Sequence, residues 1–298
     1  RDRFGIKPLY YTFLPNKMFA FASETYAFKF LEGYRRGINE RHYRLACEDP
    51  LLLEGEGVTV FEGVNQVLPG HSLTLSLPLQ IIQKRWWSIE DHLTDTPVLD
   101  VKCQSEYIKD LLVDSCKLRL QSDVKIGTAL SGGLDSSIIL SVVNDLLKGG
   151  SVERINQSNQ EAFTITFPGL ENDEREFAQK AFTCTTNAKH HLIEANTKSL
   201  PSQILNDARI SDYVGKWPLT SASLVYKTMK QSGVSVSLDG HGVDEMMYGY
   251  KNMVSSLFYD ALYDPKKKPE RYKEALIGFS DDSESASRIE RMLLEKKL

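Results

Sequence analysis

Cysteine is scarce in this chain. Its 298 residues include four, Cys47, Cys103, Cys116 and Cys184, scattered and without a Cys-x-x-Cys pair. A zinc or disulfide framework is therefore not expected, and a reduced, cytoplasmic setting is the default. An excess of basic charge is also missing: 36 Lys and Arg stand against 40 Asp and Glu, for a net charge of −4. That leaves no electrostatic footprint for nucleic acid. No apolar run approaches the roughly 20 residues of a membrane span, and no signal-peptide pattern opens the chain. Neither nucleic acid nor membrane is expected as a partner. Two familiar phosphate loops are absent: there is no Gly-Lys-Ser/Thr after four spacers and no Gly-x-Gly-x-x-Gly. The chain opens at Arg1 without Met, inside a motif, and closes at Leu298 in a charged helical pattern. It reads as a piece of a longer protein.

What is present centres on residues 124–140. Val124 to Leu130 is apolar and stops abruptly, as a short buried parallel strand does. Ser131-Gly132-Gly133 lets the backbone turn tightly and approach a ligand without a Cβ in the way. Asp135, Ser136 and Ser137 supply N-cap and first-turn residues, and Ile138 to Val143 continues as a buried helix. A strand, glycine turn and helix leave backbone N–H groups aimed at one spot, where the helix dipole adds positive potential. That spot suits phosphate. Asp135 would repel a phosphate by itself, so its presence argues for a bridging Mg²⁺. Taken alone, a Gly-Gly pair that merely lets a helix pack on a strand would explain less of this pattern.

A second stretch has the same grammar. Gly233 to Leu238 is a strand, and Asp239-Gly240-His241-Gly242-Val243-Asp244-Glu245 follows it. Gly240 and Gly242 admit close approach. Asp244 and Glu245 place carboxylates at a strand's end, opposite Asp135 if the two strands are neighbours. Acids from two loops plus phosphate oxygens make a Mg²⁺ site, with Asp135 and Asp244 as its protein ligands. The plainer alternative is a helix start whose acids answer the dipole.

Ser-Gly-Gly-Leu-Asp-Ser-Ser, at Ser131 to Ser137, resembles the pyrophosphate loop of the ATP-pyrophosphatase families, and within them the asparagine synthetase branch. The N-terminus supports that branch. Arg1-Asp2-x-x-Gly5-x-x-Pro8-Leu9-Tyr10-Tyr11, then Phe21-Ala22-Ser23-Glu24, then Phe61 to His71, resemble the last third of a class II glutaminase domain, in the family's order. The resemblance runs from Arg1 to about Tyr250. It implies an α/β fold with a doubly wound parallel sheet of the adenine nucleotide alpha hydrolase type, preceded by a partial, β-rich glutaminase domain of Ntn type. It implies ATP and Mg²⁺ as cofactors, and ATP binding by Leu130, Ser131, Gly132, Gly133, Asp135, Ser136, Ser137, Ile165, Asp239 and Gly240. Asp2 would bind the amino group of glutamine; read from the sequence alone, an aspartate capping its own turn is as good. Asp135, His241 and Asp244 become the catalytic candidates.

The match has gaps. That glutaminase uses an N-terminal cysteine whose own α-amine is its base; none stands here, so this polypeptide is not expected to hydrolyse glutamine. The family's second loop is usually Ser-Gly-Glu-Gly-x-Asp-Glu. Here Asp239 replaces the serine and His241 the glutamate. A histidine at that position can act as a base near neutrality. Family members carry a later lysine that steadies the leaving pyrophosphate, in a segment beyond the charged helical stretch that follows Tyr250, and no equivalent stands out here.

The remaining segments set boundaries. Residues 1–88 read as the glutaminase remnant, 89–102 as a linker around Pro97, and 103–298 as the synthetase domain. Gln104 to Leu120 has helical spacing, Ser151 to Gln160 reads as a polar loop, and Asp212 to Pro218 as another. Trp86 and Trp87 read as interdomain packing. His190 and His191 are strand neighbours on opposite faces, which argues against chelation of one ion. The basic-aromatic run from Tyr34 to Arg44 reads as a solvated helix.

Three functions stay open. The first is formation of asparagine from aspartate through β-aspartyl-AMP, with ammonia from glutamine and release of AMP and pyrophosphate. The second is the same chemistry on another carboxylate, a sugar acid or a ring-closing substrate. The third is a nucleotide-binding fragment without turnover. All take small molecules as partners, and a homodimer stays open.

Overall fold

In the computed structural model, the described residues are 1–14, 18–49, 51–76, 80–93, 100–150, 152, 159–171, 173–186, 188–211 and 219–263. The hairpin tip at Pro15-Asn16, Pro97, most of the 151–160 loop, the Asp212–Pro218 loop and residues 264–298 lie outside them. The chain divides into two compact units, residues 1–109 with 195–224, and residues 110–194 with 225–298.

The first unit carries two antiparallel sheets. β1 (Tyr10–Leu14) pairs with β2 (Met18–Ala22) on one side and later with β3 (Val64–Gln66) on the other. Between them come α1 (Glu40–Glu48) and α2 (Leu51–Glu54). Phe28, Ala46, Leu53, Val60, Phe61 and Val64 form the core there. β4 (His71–Ser76) and β5 (Gln80–Arg85) make a separate hairpin. The solvated-helix reading holds only for the second half of the Tyr34–Arg44 run, because α1 begins at Glu40 and Tyr34 packs against the core beside Phe28. Asn39 caps α1 by accepting from the His42 amide, Arg44 faces Glu40 at 3.6 Å on the exposed side, and Arg36 lies over the Phe61 ring. Trp87 packs edge-on against Phe4 at 5.1 Å and stacks on His92.

α3 (Val101–Arg119) runs from the first unit into the second. Its helical spacing is as read, but only its later turns are covered: Cys116 is buried, whereas Tyr107, Ile108 and Leu111 are exposed. The second unit is then built on parallel strands. In chain order they are β6 (Lys125–Ala129), α4 (Leu134–Lys148), β7 (Gln160–Thr166), α5 (Arg175–Thr183) and β8 (Ala188–Glu194). α6 (Leu200–Ser211) and the start of α7 (Thr220–Gln231) belong to the first unit; from Val225 the chain is again part of the second and continues through β9 (Val234–Ser237), α8 (Val243–Met247) and α9 (Lys251–Tyr263). The four strands pair in parallel in the order β8-β7-β6-β9. The third, second and first strands lie side by side, and the fourth joins the other edge of the first. The order thus reverses between β6 and β9, the place where open parallel sheets leave a crevice at their carboxyl ends.

Local chemistry explains the elements. β7 is buried almost throughout, as a parallel strand covered on both faces must be. It begins at Gln160, which is fully buried, one residue inside what reads as loop. α4 buries Ser136, Ile139, Leu140, Val143 and Asn144 at three- and four-residue intervals. Lys148 in its last turn and Gly149 at its C-cap end it where expected. Leu130, Leu140, Ala162 and Ala178 join β6, α4, β7 and α5 into one apolar layer. No helix among the described residues is long and apolar enough to cross a membrane.

Candidate active site

The turn after β6 is built by glycine and internal hydroxyls. Gly132 has φ +87°, and a Cβ there would come within 2.3 Å of the Ala178 amide nitrogen. Only glycine lets the turn press on the backbone of α5. The N-cap of α4 is Gly133, with no side chain capping it. This corrects the assignment of Asp135 and the serines as cap residues: Leu134 is already helical and Asp135 lies in the first turn. Ser131 Oγ accepts from the Gly133 amide and meets Ser136 Oγ at 3.1 Å. Ser137 Oγ is turned inward, donating to the Gly133 carbonyl at 2.7 Å.

The second loop lands on the first. A Cβ on Gly240 would lie 2.8 Å from Asp135 Cβ and 3.1 Å from the Ser136 nitrogen. The two glycine turns are therefore in direct contact, which is what pairing β9 with β6 accomplishes. A cleft of about 260 Å³ opens at that junction. Leu130, Ser131, Asp135, Ser136, Ile165, Asp239, Gly240, His241 and Asp244 all line it. Gly132, Gly133 and Ser137 do not; they shape the turn. Asp2 belongs to the other unit. Its carboxylate accepts from the amides of Phe4, Ile6 and Lys7, so it caps its own turn. Burial raises this carboxyl, but the three amides outweigh that and hold it below its ordinary value.

The cleft's acids repel one another. Burial raises Asp135 above the ordinary carboxylate range, and the charges of Asp244 and Glu245 raise it further. The Tyr250 phenol is pushed up too, by desolvation first, then by the charges of Glu245 and Asp244 and its hydrogen bonds to them. Asp135, Glu174, Asp239, Asp244 and Glu245 contribute five carboxylates to the lining, and no lysine or arginine joins them among the described residues. A polyphosphate entering such a cleft needs a cation, and a set of carboxylate oxygens fits a hard one such as Mg²⁺. Protein ligands alone do not complete it: no group of three or more His, Cys, Asp or Glu has metal-holding geometry among the described residues. Phosphate oxygens and water would fill the remaining positions, as is usual for Mg²⁺.

Asp239 lines the cleft but spends its carboxylate on the protein. Oδ1 accepts from the Ala129 amide at 2.8 Å and from Ser237 Oγ at 2.6 Å. Oδ2 accepts from the Tyr226 hydroxyl at 3.0 Å. It ties the end of β6 to the second loop and to α7. Burial, then the Asp239 charge and hydrogen bond, push the Tyr226 phenol up to about 12. His241 is largely exposed, with Nδ1 3.9 Å from Asp239 Oδ2. His190 and His191 take separate partners, Thr164 and Glu161, as expected for opposite faces.

Several lining residues escaped the sequence reading: Glu174, Phe163, Val225 and Tyr250. Glu174 carried a usable signal, an acid at the N-cap of the helix that follows β7. Val225 carried none, since only the packing of α7 brings it there. Tyr248, next to the site, is the only non-glycine with positive φ among the described residues, at 57°.

Residues 107–295 match the asparagine synthase family, and residues 1–87 match the glutamine amidotransferase domain. The chain belongs to the asparagine synthase family. Among curated relatives, amidase chyE of Penicillium rubens is 28% identical over 266 residues, covering 84% of this chain and 37% of that one. Amidase chry2 of Gibberella zeae is 27% identical over 267 residues, with 84% and 37% covered. Asparagine synthetase (glutamine-hydrolyzing) 3 of Bacillus subtilis is 26% identical over 265 residues, covering 84% and 40%. The chain thus spans about two fifths of the length of these relatives.

Proposed function

We propose that this chain carries the adenylating centre of an ATP-dependent, amide-forming ligase, within a protein that draws ammonia from glutamine. One observation carries the reading: the turn at Ser131–Ser136 and the loop at Asp239–Glu245 touch and share one cleft. In the first step a substrate carboxylate attacks the α-phosphorus of ATP. An acyl-adenylate forms and pyrophosphate leaves. The N-terminus of α4 and the hydroxyls of Ser131 and Ser136 bind the departing oxyanions. Asp135 and Asp244 are the side chains that would hold Mg²⁺, which when bound neutralises phosphate charge. Leu130 and Ile165 supply the apolar wall for adenine. In the second step a nitrogen nucleophile attacks the acyl carbon and AMP leaves. The exposed imidazole of His241 is the group that takes the nitrogen's proton.

We further assign residues 103–298 to a doubly wound domain of adenine nucleotide alpha hydrolase type, and residues 1–88 to an Ntn-type remnant joined by 89–102. Asp2 would meet glutamine only in the whole protein. A cytoplasmic setting belongs to the same proposal.

Aspartate is the first acceptor to test. A second reading, amidation of a different carboxylate, is favoured by His241 in place of the usual glutamate. Amidase-named relatives fit it as well. Isotope exchange between pyrophosphate and ATP, with Mg²⁺ and candidate carboxylates, separates these. Exchange that requires aspartate supports the first. Exchange with other acids only supports the second. ATP binding with no exchange for any carboxylate, even with ammonium salts supplied, would leave only a nucleotide-binding role.

A further inference from the structure

At the end of β6, Ala129 and the next residue, Leu130, assign their amides alternately. In a strand, successive N–H groups point to opposite edges. The Ala129 amide points to the β9 edge, where Asp239 Oδ1 receives it at 2.8 Å. The Leu130 amide points to the β7 edge and donates to the Phe163 carbonyl at 2.8 Å. The Leu130 carbonyl is held on that same β7 side by Thr164 Oγ1, at 2.6 Å. A trans peptide is planar, with its C=O and N–H antiparallel. Fixing the Leu130 carbonyl toward β7 therefore turns the Ser131 amide toward β9. That is the direction of the crevice, which Ser131 and Gly240 line.

The hydroxyl doing this is itself fixed. Thr164 is 2% exposed. Its single proton goes to the Leu130 carbonyl, which can only accept. The contact from Thr164 Oγ1 to His190 Nε2, 2.8 Å, must then be an N–H donated by the imidazole. His190 is held flat against the Phe182 ring of α5, with centroids 4.7 Å apart. α5 in turn abuts Gly132 through Phe177 and Ala178. The chain of contacts runs from an aromatic shelf to a histidine, a threonine, one carbonyl and finally the amide at the mouth of the turn.

We propose that Thr164, buttressed by His190, is a positioning residue that aims the Ser131 amide at a nucleotide phosphate; this rests on the reading that phosphate binds at this turn. It acts through the peptide and touches no ligand. Replacing the hydroxyl by a methyl frees the 130–131 peptide to rotate while keeping the volume of the side chain.

The test uses the 298-residue chain, with Mg²⁺-ATP, inorganic pyrophosphate and adenosine as probes in calorimetry. Thr164→Val is expected to weaken ATP and pyrophosphate by about tenfold, the size of one hydrogen bond to a charged acceptor. Adenosine affinity should stay unchanged, and Thr164→Ser should restore both phosphate ligands. The Ser131 amide proton resonance should move downfield on adding pyrophosphate, in wild type and Thr164→Ser but not in Thr164→Val. Wild-type pyrophosphate affinity in Thr164→Val would overturn the proposal. So would equal losses for adenosine and pyrophosphate. Failure of the unmodified chain to bind ATP at all would instead sink the functional reading above.

Discussion

Substituting Gly240 by alanine isolates the contact on which the cleft depends. Gly240 does not have a left-handed φ, so alanine brings no backbone strain; by restricting the unfolded chain it would even stabilise by about 0.4–1 kcal/mol. The loss comes from packing alone. The new Cβ would lie 2.8 Å from Asp135 Cβ and 3.0 Å from the Asp135 carbonyl carbon, where ordinary contact begins near 3.4 Å. The loops must part by about 0.6 Å. Neither neighbour is a flexible side-chain end, because both belong to the first turn of α4. Such overpacking costs about 1–3 kcal/mol, and a chain of this size loses about 2–4 °C in Tm per kcal/mol. Gly240→Ala should therefore melt a few degrees below wild type. It should also weaken Mg²⁺-ATP binding, because the side chains of Asp135 and Asp244 sit on the two loops that are moved apart. Differential scanning calorimetry and titration with Mg²⁺-ATP measure the two effects. Gly233→Ala is the control. It carries left-handed strain at φ +80° with open space around its Cβ, at the start of β9 rather than its end. It should lower Tm and leave ATP affinity alone. If Gly240→Ala binds Mg²⁺-ATP and melts like wild type, the two turns are not in contact and the shared cleft is lost as an explanation.

Asp239→Asn removes the charge behind Tyr226. Ultraviolet titration of wild type should show one phenol ionising near 12, and that step should move toward the ordinary 10 in the variant. The sign follows: a phenol whose folded pKa is raised stabilises below about 10, and that stability drains away between 10 and 12. The variant should lose less stability over that interval. On the acid side, burial and the charge of His191 hold His190 below its ordinary 6.5. The unfolded chain takes up that proton first, so stability is full above about 6.5 and falls as pH drops through the folded value. Glu161 adds a second loss below about 4.5. Burial raises its carboxyl, but His191, Lys125 and Lys189 outweigh this and keep it ionised. Thermal melts of His190→Phe, which keeps the stack on Phe182, should show a flatter decline between pH 7.5 and 5.5 than wild type. An unchanged slope would refute the assignment of that decline to His190.

What could be read along the chain was what is decided within a few residues. Ser131–Ser137 announced itself because an apolar strand, two glycines and a 3.6-residue period force strand, turn and helix in succession. His190 and His191 could be separated on paper because a strand alternates its faces. Asp239 was legible only in part. The resemblance implied a nucleotide-binding residue and it does line the cleft, but the partners of its carboxylate, the Ala129 amide and the Tyr226 hydroxyl, lie 110 and 13 residues away. Gly127 looked like any strand glycine. Only the structure shows that a Cβ there would meet Val234 and Phe163 near 3 Å, so that β9 and β7 can both close on β6.

The sequence by itself determined each loop, its glycines, its acids and the family to which they point, since these follow from short-range sterics and periodicity. Tertiary structure alone decided that the loops meet: β9 pairs with β6 rather than with the strand before it, and non-local hydrogen bonding leaves no local trace. That pairing turned two separate acidic turns into one crevice. It also set which carboxylates line that crevice and which, like Asp239, hold its walls together.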